Sequence, residues 1–420
     1  MILEPPRQSL PGLGQIARAL DRHSISNGIA AFLVASTGPL VILLAVSVNG
    51  GLSRADISSW IFAGYGLSGI FSIVFSVLYR MPMGMAWTIP GAVLLATSLD
   101  HLPFTAVVGT YYVTAALILV IGLTGWVRRM MDSLPIPIVM GMVAGVFLPI
   151  VLKIITAFDE SATIAGATLA AFLVLSLLPA ISRFISPVLG ALAVGAVVTV
   201  ASGQFNLTEP VAWALADPIL YTPEFSLQAC LELVVPMAMT VIGIHNAQGF
   251  AISRVHGYRP PVNTLTVACG VGSFVLGAFG SVSLCVTGPV NGVLNTSGAK
   301  ERRFAGGVVF GVLLLVFGLF APVATQLALA LPTAFIGILG GLAMLPVLQG
   351  AFVTAFRGEF QLGALISFLV TISGIAPFNI GAAFWGLVFG FAASALLERK
   401  DFARAAEKRR AAAAQPAPAD

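Results

Sequence analysis

The chain has 420 residues, of which 58% are hydrophobic and 9% charged, against roughly 25% charged in an ordinary soluble domain. That balance excludes a soluble globular protein and points to an integral membrane protein. The net charge of +4 sits in loops and tails and forms no basic patch with interleaved aromatics, so it signals no nucleic-acid partner.

The N-terminal segment carries Glu4, Arg7, Arg18, Asp21 and Arg22 and lacks a continuous apolar run. A cleaved signal peptide is therefore not expected, and the first span serves as the insertion signal. Apolar runs of about 20 residues then recur as far as Leu397, the length of spanning helices rather than of barrel strands. The expected spans lie near 28–49, 57–79, 83–99, 104–126, 135–156, 162–182 and 186–203, then near 231–252, 262–281, 283–298, 304–325, 331–352, 361–376 and 378–397. That makes about 14 crossings. Residues 204–227 contain Pro210, Pro218 and Pro223, three acids and no Lys or Arg, and read as a linker with room for a short surface helix. From Glu398 the tail is Ala-rich and of mixed charge, its basic cluster suited to anionic headgroups and its QPAPAD end to disorder.

Placing the N-terminus inside puts 19 Lys and Arg residues in inner loops and tails and leaves Arg54 and Lys153 outside. This is the asymmetry of the positive-inside rule, and a missed span would scramble it. The chain also repeats itself. Leu134-Pro135 and Leu148-Pro149 recur as Leu331-Pro332 and Leu345-Pro346, a displacement of 197 that also carries Pro39 to Pro236, Asn49 to Asn246 and Gly91 to Gly288. Pro90 and Thr97-Ser98 recur as Pro289 and Thr296-Ser297 at 199. Because each copy has an odd number of spans, the second enters the membrane upside down, the plan of secondary transporters. The division that follows is 1–27 (inner segment), 28–203 (first seven-span repeat), 204–227 (outer linker), 228–397 (second, inverted repeat) and 398–420 (inner tail). The fold class is an all-α polytopic membrane protein, a 7+7 inverted repeat with two broken half-helix segments.

The breaks are Met81 to Ser98, MPMGMAWTIPGAVLLATS, and Ser281 to Ser297, SVSLCVTGPVNGVLNTS. Gly beside Pro in an apolar run interrupts a helix, and broken backbone at membrane depth is tolerated where it is buried in protein or lines a cavity. If half-helices begin at Gly91 and Val290, their first turns offer unpaired N–H groups to an anion, each end contributing up to about 1–2 kcal/mol when partly buried. Thr88, Thr287 and Asn291 stand beside these ends. They could add donors to a ligand or satisfy the broken backbone itself. Trp87 precedes the first break, either packing against a flat apolar ligand or anchoring the span. On the eighth span, His245, Asn246 and Gln248 lie near mid-depth, where polar groups are expensive unless they face a cavity or partners. His245 alone changes charge near neutral pH. It reads as a group that takes up a coupled proton or orients a carboxylate, or as a neutral His bonded between helices. Glu232 is the second proton-coupling candidate, expected at the outer boundary with its carboxylate snorkelling to the interface. Asn49 and Asn295 read as structural, and His23, His101 and His256 as loop residues of little signal. Cys230, Cys269 and Cys285 lack C-x-x-C spacing and imply neither a disulfide framework nor a metal site; no cofactor is called for.

AWTIPGAVLLATS (Ala86 to Ser98), HNAQGFA (His245 to Ala251) and TGPVNGVLNTSGAKERRFAG (Thr287 to Gly306) resemble the benzoate transporter family of the BenE type. The resemblance implies a bacterial inner-membrane importer of benzoate or a related aromatic carboxylate, driven by proton symport. It also implies the core-and-gate fold shared with nucleobase and sulfate-type transporters, whose third, eighth and tenth spans line the site. Trp87, Thr88, Pro90, Gly91, His245, Asn246, Gln248, Thr287, Gly288 and Asn291 are then the expected substrate-binding residues. The linker becomes periplasmic and both termini cytoplasmic; a homodimer is left open. A nucleobase–proton symporter is the first alternative, opposed by the lack of acids in the HNAQ and TGPVN stretches. An inorganic-anion carrier is the second, opposed by Trp87 and by the absence of a long C-terminal domain. A membrane enzyme would need a nucleophile, metal cluster or paired acids within the spans, and the sequence offers none. The occluding breaks favour a carrier over a passive channel.

Overall fold

The computed structural model describes residues 3–6, 8–127, 135–178, 187–207, 210–211 and 213–414. A short α1 (Leu13–Ala19) leads to α2 (Arg22–Ser36) and α3 (Gly38–Asn49), which meet where Pro39 enters the first turn of α3. Next, α4 (Arg54–Ile61) starts from a capping box between Ser53 and Asp56, which satisfies two otherwise orphaned donors. A π turn at Phe62–Leu67 joins it to α5 (Ser68–Tyr79). The third segment is β1 (Met85–Trp87) followed by α6 (Ile89–Ser98); then come α7 (Phe104–Thr124), α8 (Ile136–Leu177) and α9 (Pro187–Ala201). Within α8, Ser161 adopts φ −157°, ψ 90°, so the fifth and sixth expected spans are two helices meeting at that residue. The end of the sixth, residues 179–182, falls outside the described residues.

The second copy begins with α10 (Leu227–Met239), a π turn at Thr240–Asn246 and α11 (Ala247–Val255). Then follow α12 (Val262–Ala278), β2 (Leu284–Val286), α13 (Gly288–Leu294), α14 (Phe304–Leu319), α15 (Ala321–Leu329), α16 (Thr333–Phe356), α17 (Gln361–Ile372) and α18 (Ala382–Leu397). The tail forms α19 (Arg399–Ala414); QPAPAD lies outside the described residues. Among the described residues the linker forms no helix before α10.

Six continuous helical stretches among the described residues are long and apolar enough to cross a membrane, from Arg22–Asn49 to Thr333–Phe356, while α14 and α15 meet at 67°. The third and tenth segments are shortened to a three-residue strand and a half-helix. Helices α8, α9, α16, α17 and α18 pack on one another as one group, and α2 to α7 with α10 to α14 form the other. The groups meet where α3 touches α16, α6 touches α8, and α10 touches α18. Lipid supplies little hydrophobic drive between helices, so close approach depends on small residues. At the α5–α14 crossing, a Cβ on Gly69 would lie 2.4 Å from Gly311 O, and one on Gly311 would lie 2.5 Å from Gly69 O.

Candidate functional site

The two broken segments are hydrogen-bonded to each other. β1 and β2 run antiparallel with Met85 opposite Val286, Ala86 opposite Cys285 and Trp87 opposite Leu284. One further bond closes each end, Thr88 N–H to Ser283 O at 3.0 Å and Thr287 N–H to Gly84 O at 3.0 Å. The Ala86–Cys285 pair thus marks a pseudo-two-fold axis, and α6 and α13 leave from opposite ends of the ladder. Their N-termini are separated by about four residues of strand, roughly 13 Å, and flank its centre.

A sheet edge buried at membrane depth needs partners for its outward groups. Ser72 Oγ accepts from Met85 N–H at 2.9 Å, Ser76 Oγ from Met83 N–H at 3.0 Å, and Ser273 Oγ from Leu284 N–H at 3.0 Å. Asn246 Oδ1 accepts from Val286 N–H at 2.8 Å. Asn291 bridges Gly84 in both directions at 3.0 Å and donates to Thr287 O at 2.7 Å. The side chains of Asn246 and Asn291 are therefore committed to the backbone, the second of the two readings open for such residues. Asn295 donates to Asn291 O at 2.8 Å. Cys269 on α12 and Cys285 on β2 are buried free thiols, while Cys230 is half-exposed. None of the three serines stood out in the sequence; their only signal is their place on α5 and α12, facing the strands.

Both half-helices start two residues earlier than the expected Gly91 and Val290, because Pro90 and Pro289 occupy the first turn, where a missing N–H costs nothing. The two caps differ. Thr88 Oγ1 accepts from Gly91 N–H at 3.3 Å and lies 3.0 Å from Thr240 Oγ1. The equivalent Thr287 makes no side-chain cap, and its buried hydroxyl has no partner. Around it, the N–H groups of Gly288 and Val290 belong to the first helical turn and have no intrahelical acceptor.

His245 sits on the π turn, 8% exposed. Its Nδ1 lies 3.1 Å from Thr240 O and 3.5 Å from Thr88 Oγ1. A carbonyl oxygen only accepts, so Nδ1 carries a proton and Nε2 is left to accept one, or to donate once protonated. One turn on, Gln248 is exposed, and its amide covers the first turn of α13: a Cβ on Gly288 would lie 2.4 Å from Gln248 Oε1. Trp87 is buried and meets Tyr65 edge-on, the ring centroids 5.9 Å apart.

Glu232 departs from its expected placement. Rather than snorkelling to the interface, it is 3% exposed, accepts from Ser98 Oγ, and lies 3.0 Å from His101 Nε2. A snorkelling carboxylate has no neighbour to satisfy it at depth; this one has two. Their contribution was invisible in the sequence, since Ser98 and His101 stand more than 130 positions away and His101 looked like a loop residue. Among the described residues no group of three or more His, Cys, Asp or Glu could hold a metal.

A profile described as "Benzoate membrane transport protein" matches residues 19–396. The chain belongs to the benzoate membrane transport family. Members of this family are membrane transporters, not enzymes, and this is a multi-pass membrane protein. It is 31% identical over 370 residues to "Inner membrane protein YdcO" of Escherichia coli (strain K12), covering 86% of this chain and 93% of that protein. It is 28% identical over 381 residues to "Benzoate membrane transport protein" of Acinetobacter baylyi, covering 88% and 94%. Among solved structures, the transmembrane domain of the cyanobacterial bicarbonate transporter BicA aligns with a TM-score of 0.61 at 16% identity, covering 89% of this chain and 98% of that one. The fold is thus the 7+7 inverted repeat that the displaced Pro and Gly positions announced.

Proposed function

We infer that this family member imports benzoate or a related aromatic carboxylate by proton symport across a bacterial inner membrane, with both termini in the cytoplasm. The observation that carries this reading is the first turn of α13. There, backbone N–H groups without an intrahelical acceptor and the partnerless Thr287 hydroxyl meet with no carboxylate among them. Such a donor set at a helix N-terminus favours an anion, and it offers no acid for the ring N–H groups of a nucleobase. The distribution of Lys and Arg supports the orientation.

In this reading the carboxylate is held at Gly288, Val290 and Thr287, under Gln248. His245 is the coupling residue. Protonated at Nε2 it adds a positive charge beside the half-helix ends and strengthens binding of the anion; deprotonated on the inner side it releases both. Trp87, wedged by Tyr65, closes the apolar wall behind the site, while Pro90 and Gly91 shape the first turn of α6.

The test is uptake of labelled benzoate into proteoliposomes with and without an inward proton gradient, with uracil and sulfate as competitors. Gradient-driven benzoate uptake, resisted by neither competitor, is expected. His245→Gln should retain benzoate counterflow but lose gradient-driven accumulation. Gradient-driven uracil uptake without benzoate uptake would overturn the assignment, and His245→Gln accumulating benzoate with the parent pH dependence would remove His245 from coupling.

A further inference from the structure

The last span ends in an elbow. Helix α19 leaves α18 at 91°, so with α18 crossing the bilayer α19 lies close to the membrane plane. Two carboxylates fix that angle. Glu398, between the two helices, accepts from Leu362 N–H at 2.7 Å and from Gly363 N–H at 2.9 Å, and Asp401 accepts from Phe360 N–H at 2.9 Å. These are donors that the first turn of α17 leaves without an intrahelical acceptor. The rings of Phe360 and Phe402 meet edge-on beside them, their centroids 4.7 Å apart. The start of the tail is therefore clamped to α17.

The clamp leaves positive charge unspent. Arg399, Lys400 and Arg404 stand on the first two turns of α19. Neither the Arg399 nor the Lys400 side chain has a hydrogen-bond or ion-pair partner among the described residues. Arg404 Nη1 lies 3.4 Å from Asp401 Oδ1, with the arginine side chain 65% exposed, and an ion pair so open to water contributes little. The acids that would offset these cations are turned to the backbone of α17, at the positive end of its dipole. Further along, the sequence adds Lys408, Arg409 and Arg410 against Glu407.

The three cations line a cavity of about 420 Å³ in the elbow, together with Leu396 and Leu397 from the end of α18. Its size falls within the range of small-molecule sites, about 300–1,000 Å³. The two leucines are 66% and 68% exposed, on the last turn of a span. Apolar surface thus runs straight into a cationic shelf. A free phosphate ion would use the shelf and leave the leucines bare, whereas an uncharged lipid would cover the leucines and leave the cations without an anion. One molecule carrying both an anionic phosphate and acyl chains satisfies the whole surface.

We propose that the α18–α19 elbow binds one anionic phospholipid, its phosphate held by Arg399, Lys400 and Arg404 and its acyl chains lying on Leu396 and Leu397. Basic residues immediately beyond a span recognise such head groups. Helices α17 and α18 pack with α8, α9 and α16, so the bound lipid fastens that group to the bilayer and not the group that carries the half-helices. The orientation inferred above makes the inner leaflet its source. The site itself depends neither on that orientation nor on benzoate.

The test uses the full-length protein, delipidated in a neutral detergent and titrated with dioleoylphosphatidylglycerol, dioleoylphosphatidylcholine or inorganic phosphate. Bound species are counted by native mass spectrometry. One phosphatidylglycerol should bind ahead of any others. Lys400→Gln should weaken that first binding by about fivefold, and Arg399→Gln/Lys400→Gln/Arg404→Gln by about a hundredfold. Removing three cations elsewhere, as Arg18→Gln/Arg22→Gln/Arg254→Gln, should leave it at the parent value. Parent-like binding by the elbow variants, or equal losses in both triple variants, overturns the proposal. Equal affinity for phosphatidylcholine would reduce the elbow to an apolar groove, and displacement of the lipid by millimolar inorganic phosphate would make it a site for a soluble anion; either result also overturns it. Should the triple variant fail to fold, Lys400→Gln decides by the same criteria, since its exposed side chain has no partner to lose. A protein that does not move benzoate would still give the lipid result, so the two readings fail separately.

Discussion

Thr88 and Thr287 occupy the same place in the two repeats and are used differently. Thr88 caps its half-helix and bonds Thr240, whereas Thr287 leaves a buried hydroxyl without a partner. A hydrogen bond to a charged group contributes about 1.5–3 kcal/mol, so Thr287→Ala should raise the KM for benzoate by about tenfold or more with the melting temperature unchanged. Thr88→Ala should instead lower stability by about 1 kcal/mol, the value of an N-cap. Uptake kinetics and thermal melts of the two variants check this; equal effects of both on stability alone would make Thr287 a structural residue. His245 and the two threonines were legible because polar groups in an apolar run are conspicuous. That Asn246 and Asn291 are spent on the ladder was not legible, for their partners, the Val286 N–H and the Gly84 backbone, become neighbours only once the strands pair. Glu232 was misplaced for the same reason: its depth is set by Ser98 and His101, not by its distance from the helix end.

At the scale of elements, the Gly-Pro signature correctly marked where the third and tenth spans break but said nothing of the ladder between them. A strand of three residues is too short to show alternation, and both faces of β1 and β2 are buried, which removes even the polar half of the pattern. The ladder survives at this depth because serines cap its outer edges. Ser72 on α5 and Ser273 on α12 do the same task for β1 and β2, at 2.9 and 3.0 Å. Ser72→Ala and Ser273→Ala each leave a buried strand N–H without an acceptor, a penalty of about 1–3 kcal/mol. Each variant should melt earlier than the parent and bind benzoate more weakly, because the half-helix that follows each strand loses its fixed origin. Two melting curves superimposable on the parent would show that the edges are satisfied some other way.

At the scale of the whole molecule, the repeat that was visible as a displacement of 197 to 199 positions is symmetric in topology but not in packing. Pro90, Val93 and Leu94 on α6 are buried, with α3 and α8 packed over that helix. Their equivalents on α13, Pro289, Gly292 and Val293, are exposed or half-exposed, α13 resting on α2 and α11. The exposed Gln248 and Ala251 of α11 border the same side. One half-helix is therefore sealed and the other open, on the face that carries the N-terminal segment. Two arrangements of one inverted repeat are related by exchanging these roles, so the opposite state follows by symmetry: α16, the equivalent of α8, would cover α13, and α6 would be uncovered. In protein without substrate, Val293→Cys in a Cys230→Ser background should react with a membrane-impermeant maleimide from the face bearing the N-terminus. Leu94→Cys should stay unreactive from either face. Reaction at Leu94→Cys with protection at Val293→Cys would mean that the resting protein opens to the other side, and equal reactivity of both would refute the asymmetry.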